Sequence, residues 1–120
     1  MDSHAEFKHL EVKDVDGVTV IRVLERVLSS QPTILGLHEE MLRALEKKNT
    51  RNMLLDLASV EAVSSLMLSK LIGLKKLIES TGGRLILCNL QRRVYEVFAV
   101  TRLKTLFDIK SDAAEGLASF

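Results

Sequence analysis

Two short apolar runs of strand length, Met53-Leu54-Leu55-Asp56-Leu57 and Leu85-Ile86-Leu87-Cys88-Asn89-Leu90, each follow a segment of helical period. That alternation constrains the fold more than anything else in the chain. Strands separated by helices imply a largely parallel sheet with helices packed over it. The opening adds a different signal. Residues 7–12 and the β-branched run Val18-Thr19-Val20-Ile21-Arg22-Val23-Leu24 flank Asp16-Gly17, a dipeptide suited to the positive φ angles of a hairpin turn. The sheet should therefore carry an antiparallel edge.

The helices are read from period and punctuation. Ser29-Ser30-Gln31-Pro32 breaks the strand pattern and leads into a helix to residue 48, with Ile34, Leu37, Met41, Leu42 and Leu45 on its apolar face. Glu39, Glu40, Arg43, Glu46 and Lys47 lie largely opposite, and Lys48-Asn49-Thr50-Arg51-Asn52 ends it. Residues 59–63 form a loop or extended connector, and Ser64-Ser65 opens the next helix. Its apolar face is Leu68, Leu71, Ile72 and Ile78 with Met67 and Leu74; Ser69, Lys70, Gly73, Lys76 and Ser80 make a polar stripe. Thr81-Gly82-Gly83 stops it, since glycine takes the left-handed conformation freely. A third helix spans residues 91–100, with Val94, Val97 and Phe98 inward. A short last strand over 106–109 and a final helix capped by Ser111-Asp112 complete the order β-β-α-β-α-β-α-β-α.

Length and charge narrow the class. The chain has 120 residues, enough for one domain spanning 1–120, and its 47% apolar content suits a packed core. Lys and Arg number 17 against 16 Asp and Glu, so the basic excess that drives nucleic-acid binding is missing. No stretch approaches the roughly 20 apolar residues of a membrane span, and the first six residues hold no signal-peptide core. With one cysteine no internal disulfide forms. The expected setting is cytoplasmic, with neither a nucleic-acid nor a membrane partner.

Residues that could carry chemistry do not converge. His4, His9 and His38 are scattered and none has metal-ligand spacing; they read as solvated or partly buried. Cys88 lies inside an apolar strand and reads as a buried structural thiol. Gly82-Gly83 stands between helix and strand, the reverse of a phosphate-cradling loop. Glu39 and Glu40 are neighbours on a helix and diverge, and Arg92-Arg93 reads as a solvated helix start. No cofactor or metal site is expected from these residues, and no enzyme is expected either. One position stands out: Ser64 and Ser65, where a loop enters a helix shortly after a strand. A serine there can simply cap the helix. It can also carry a phosphate, because free amides and the helix dipole favour negative charge.

The run Leu55-Asp56-Leu57 through Ser64-Ser65 into the helix, then Gly82-Gly83-Arg84-Leu85-Ile86-Leu87-Cys88, resembles the STAS domain family. That family includes bacterial anti-sigma-factor antagonists, stressosome subunits and the cytoplasmic tails of sulfate transporters, and its usual stretch reads roughly L-D-L-x-x-h-x-x-h-D-S-S-G-L. The resemblance runs without gaps from Leu55 to about Phe107. It implies an α/β domain with a mostly parallel sheet of four to five strands, an N-terminal hairpin edge and about four helices. Ser65 falls on the family's phosphorylated position, with Ser64 second to it. Ser64 itself stands where the family carries Asp, Leu66 where it carries a second Ser, and Met67 where it carries Gly. The family's Gly-x-Leu-Asp after the second strand is missing, with residues 26–30 in that area.

The resemblance further implies partner switching. An unmodified antagonist binds an anti-sigma factor that is also a serine kinase of the histidine-kinase-like ATPase type, and phosphorylation of the serine weakens the complex. The partner surface implied here comprises Ser64, Ser65, Met67, Ser69, Lys70 and Gly73, with the loop at residues 29–33. The alternative is a non-phosphorylated STAS scaffold, joined to other stress-signalling proteins or sensing a small ligand.

Overall fold

In the computed structural model, which describes residues 7–48 and 51–120, the chain opens with β1 (Leu10–Val15) and β2 (Val18–Val23). These pair antiparallel around Asp16-Gly17, whose φ angles of 51° and 82° are both positive, as a two-residue hairpin loop requires. The amide of Gly17 also donates to Asp14 Oδ1 at 3.0 Å, tightening the turn.

Beyond the hairpin the pairing is parallel. β2 pairs with β4 (Asn52–Asp56), β4 with β6 (Leu85–Cys88), and β6 with β7 (Asp108–Lys110), giving a five-stranded sheet in the order β1-β2-β4-β6-β7. Between these strands lie α1 (Gln31–Lys48), α2 (Ser65–Ser80) and α3 (Arg92–Val100), and α4 (Ala113–Ala118) closes the chain. Successive residues of a strand face opposite sides. Ile21, Met53, Leu55, Leu85 and Leu87 accordingly join α1, α2 and α3 in the main core. Val18, Val20, Leu54, Ile86 and Cys88 form a smaller one, packed by Ala113, Leu117 and Phe120 at the C-terminal end.

The expected α/β architecture is present, with local corrections. The first strand begins at Leu10 rather than residue 7, because the amides of Lys8 and His9 donate to Glu40 Oε1, at 2.9 and 2.8 Å, instead of to a strand. Phe7 packs into the core with the Arg43 guanidinium over its ring. The strand at Leu85 stops at Cys88, and Asn89, a residue tolerant of the left-handed region, turns away at φ 57°. The last strand lies at Asp108–Lys110 instead of 106–109. Phe107, before it, serves the core edge-on to Phe98 at 5.5 Å between ring centroids. Glu40 is not on the solvent face of α1; it is buried, 6% exposed. His4 and the Asn49-Thr50 part of the expected helix stop lie outside the described residues.

Two further strands, β3 (Val27–Leu28) and β5 (Ala62–Val63), form a separate parallel ladder of two residues each. This ladder positions the candidate site.

Candidate functional site

The segment from β4 to α2 is held on both sides. On one side Asp56 Oδ1 accepts from the Ala58 amide at 2.9 Å and from Asn89 Nδ2 at 3.2 Å, and Gln91 Nε2 donates to the Ala58 carbonyl at 2.8 Å. On the other, the Arg26 carbonyl accepts from the Glu61 amide at 2.6 Å, and the Leu28 carbonyl accepts from the Ser64 amide at 2.8 Å. Val60 and Leu28, both fully buried, pin the two strips into the core. Residues 29–30, which link Leu28 to α1, are thereby tied to the start of α2, whereas residues 31–33 of the expected loop are the first turn of α1. An exposed ion pair, Arg26 Nε to Glu61 Oε2 at 2.7 Å, spans the same strips. It holds the Glu61 carboxyl below its ordinary range and the Arg26 guanidinium above its own, chiefly through their shared hydrogen bond.

At the helix start the two serines divide the work. Ser64 is the N-cap, in extended conformation; its hydroxyl accepts from the Met67 amide at 3.4 Å and its carbonyl from the Leu68 amide at 3.1 Å. Ser65 is the first helical residue and its side chain is exposed. Replacing Ser64 with Ala should lower stability by about 0.5–1 kcal/mol through loss of the cap, whereas Ser65→Ala should change it by less than about 0.5 kcal/mol. Urea denaturation of both variants tests this, and equal losses would contradict the assignment of the cap to Ser64 alone.

The residues expected on the partner surface are not all brought together. Ser69 and Gly73 are exposed along α2, and Lys70 is half-buried beside them. Met67 requires a correction. Its side chain is 1% exposed and packs in the main core, so it offers no surface to a partner. Its spacing to Leu71 and Leu74 is that of a buried helical face, and this outweighs its alignment with a family glycine.

The remaining candidate groups are quiet chemically. Burial, then the Asp56 and Asp112 charges, push the Cys88 thiol up to about 12, so it stays protonated at neutral pH. Burial first and Lys70 second hold His38 below the ordinary imidazole range. Arg92 and Arg93 are exposed, and Arg92 pairs with Glu96 one turn on. Among the described residues no group of three or more His, Cys, Asp or Glu side chains could hold a metal ion, and no helix is long and apolar enough to cross a membrane. His9 proved more structured than its scattered position suggested. Its Nδ1 lies 2.7 Å from Glu25 Oε2, and its amide donates to Glu40.

Comparison with known proteins places this geometry. The sequence matches the STAS domain profile over residues 9–116. It is 27% identical over 111 residues to the candidate anti-sigma factor antagonist BtrV of Bordetella bronchiseptica, covering 92% of this chain and 93% of that protein. The crystal structure of a candidate anti-sigma factor antagonist from Thermotoga maritima superposes with a TM-score of 0.80 at 22% identity, over 97% of this chain and 95% of that one. The Bacillus cell-fate determinant SpoIIAA in its phosphorylated form gives a TM-score of 0.68 at 16% identity, over 92% and 96% of the two chains.

Proposed function

The chain belongs to the STAS domain family, and from that premise we propose that it is an anti-sigma-factor antagonist whose partner surface is switched by phosphorylation of Ser65. The single observation carrying this reading is the division between the two serines. Ser64 spends its hydroxyl on the cap, which leaves Ser65 exposed at the first turn of α2. A phosphate on Ser65 adds about −1.5 to −2 charge where the helix dipole favours it, so the surface changes while the fold stays intact.

Relatives support the same reading. BtrV is a candidate anti-sigma factor antagonist, and SpoIIAA has been solved in a phosphorylated form. The partner in this proposal is a cytoplasmic anti-sigma factor that is also an ATP-dependent serine kinase. In the switching step Ser65 Oγ takes the γ-phosphoryl group of ATP, ADP leaves, and the hydroxyl proton passes to a base of the kinase. The domain supplies the accepting hydroxyl and the binding surface, and performs no chemistry of its own.

Intact-mass analysis with site mapping, on protein from its native cells under several stresses, tests the switch. Phosphate on Ser65 that varies with stress is the expected result. The companion measurement is calorimetric binding to the ATPase-type kinase purified from those cells. Ser65→Asp should weaken this complex about 10- to 100-fold, roughly 1.4–2.7 kcal/mol. Absence of phosphate under every condition, with unchanged affinity for Ser65→Asp, would leave the non-phosphorylated interaction module in its place.

A further inference from the structure

A groove of about 320 Å³ runs between α1 and α2, starting at Leu66, the residue after Ser65. Its apolar lining comes from Leu42 of α1 and from Leu66, Leu74 and Leu77 of α2. Leu77 is 46% exposed, and Leu35, one turn before His38 on α1, is 42% exposed. The polar lining is Ser69, Lys70 and His38, with no carboxylate among the lining residues. Among the described residues Lys70 makes no ion pair, and its charge already bears on His38. The groove is therefore apolar along its length and electropositive at its side.

Gly73 gives a second, steric observation. A mid-helix glycine is a poorer helix residue than alanine, so it calls for a reason. The other helical glycines have one inside the fold: a Cβ at Gly36 would lie 2.9 Å from His9 Nε2, and one at Gly116 would lie 2.6 Å from Leu54 Cδ1. A Cβ at Gly73 would meet nothing within 4 Å, and Gly73 lines the groove. The α2 backbone at Gly73 is therefore open to a close approach from outside the chain.

We propose that the α1–α2 groove seats an acidic, amphipathic helix of the partner kinase, with Lys70 as its counter-charge and Gly73 as the point of closest backbone approach. The proposal rests on the antagonist reading above and names the chemistry that reading leaves open. A groove between two helices, apolar inside and charged at the rim, matches the way an amphipathic helix docks. An acidic occupant also makes the switch electrostatic. Ser65 and Lys70 are five residues apart, about 7.5 Å along the helix axis and about 140° around it, so their charges meet the same occupant from different sides. A phosphate on Ser65, at the N-terminal end of the groove, repels the acidic helix.

The test is calorimetric titration of the purified anti-sigma kinase with wild type, Gly73→Ala, Lys70→Glu and Ser65→Asp, with thermal melts of each. Gly73→Ala should melt about 3 °C higher yet bind about 5-fold or more weakly, a split that a structural role alone does not produce. Lys70→Glu should bind about 10-fold or more weakly with little change in melting, and wild-type affinity should fall as salt rises. Gly73→Ala and Lys70→Glu binding like wild type, while Ser65→Asp is weakened, would overturn the groove and leave the antagonist reading standing. Wild type failing to bind the kinase would overturn both.

Discussion

Gly83→Ala is expected to destabilise the domain by about 3 kcal/mol or more, lowering the melting temperature by roughly 10–15 °C. The reason is backbone against backbone. A Cβ on Gly83 would stand 1.7 Å from the Arg51 carbonyl oxygen and 2.5 Å from its carbon. No rotamer change relieves such a contact, so the strand entry must move. That entry is closely tied: the Met53 amide donates to the Arg84 carbonyl at 3.0 Å, and Asn52 Oδ1 accepts from the Arg84 amide at 2.9 Å. A shift at Gly83 therefore propagates into the β4–β6 register, the centre of the sheet. Gly82 makes the contrast. It takes φ 86° and donates to the Glu79 carbonyl at 3.0 Å while Gly83 donates to the Ile78 carbonyl at 3.1 Å, the paired bonds of a Schellman stop. Gly82→Ala strains one left-handed residue and should cost about 1–2 kcal/mol. Guanidinium titration of the two variants decides the matter. A Gly83→Ala loss no larger than that of Gly82→Ala would show that the close approach to Arg51 is not what the glycine serves.

This pair also shows what was legible in the sequence. The stop at Thr81-Gly82-Gly83 is readable because left-handed geometry has a local residue signature. The Gly83–Arg51 approach is not, because it joins residues 32 positions apart. The same division runs through the fold. The Asp16-Gly17 hairpin, the apolar strands at Met53 and Leu85, and the helical faces around Leu37 and Leu71 follow from period and turn chemistry. The β3–β5 ladder does not: Val27-Leu28 and Ala62-Val63 are two residues each, too short for a period, and their pairing depends on what lies between them. At the candidate site, Ser64 and Ser65 were visible as a helix start. That Ser64 rather than Ser65 supplies the cap required the backbone angles. Met67 shows two signals in conflict, family alignment toward the surface and helical spacing toward the core, and burial decided for spacing. The unfilled space over Gly73 has no signature in the chain at all, because an absent contact leaves no residue pattern.

Replacement of Glu40 carries the other large expected effect. By composition a glutamate beside Glu39 belongs to a solvated helix face. Instead Glu40 is buried and acts as the acceptor for a stretch of chain that has not yet entered the sheet. Its Oε1 receives the Lys8 and His9 amides at 2.9 and 2.8 Å, while the His9 carbonyl accepts from the Leu24 amide at 2.9 Å. One carboxylate thus fastens the approach to β1 onto α1. Glu40→Ala removes that acceptor from two partly buried amides and should cost about 2–4 kcal/mol. Glu40→Gln keeps a carbonyl oxygen in place and should cost about 1 kcal/mol, so the pair separates loss of the acceptor from loss of the charge. Hydrogen exchange adds the location: the Lys8 and His9 amides should lose protection first in Glu40→Ala, before those of β4 and β6. Uniform loss across the sheet would mean that Glu40 supports the whole core rather than the chain's entry. The distinction bears on function, because α1 also supplies His38 and Leu42 to the groove beside Ser65. A seat for α1 fixed by Glu40 keeps that wall in place, so in the proposed switch the charge at the helix start is the variable that changes.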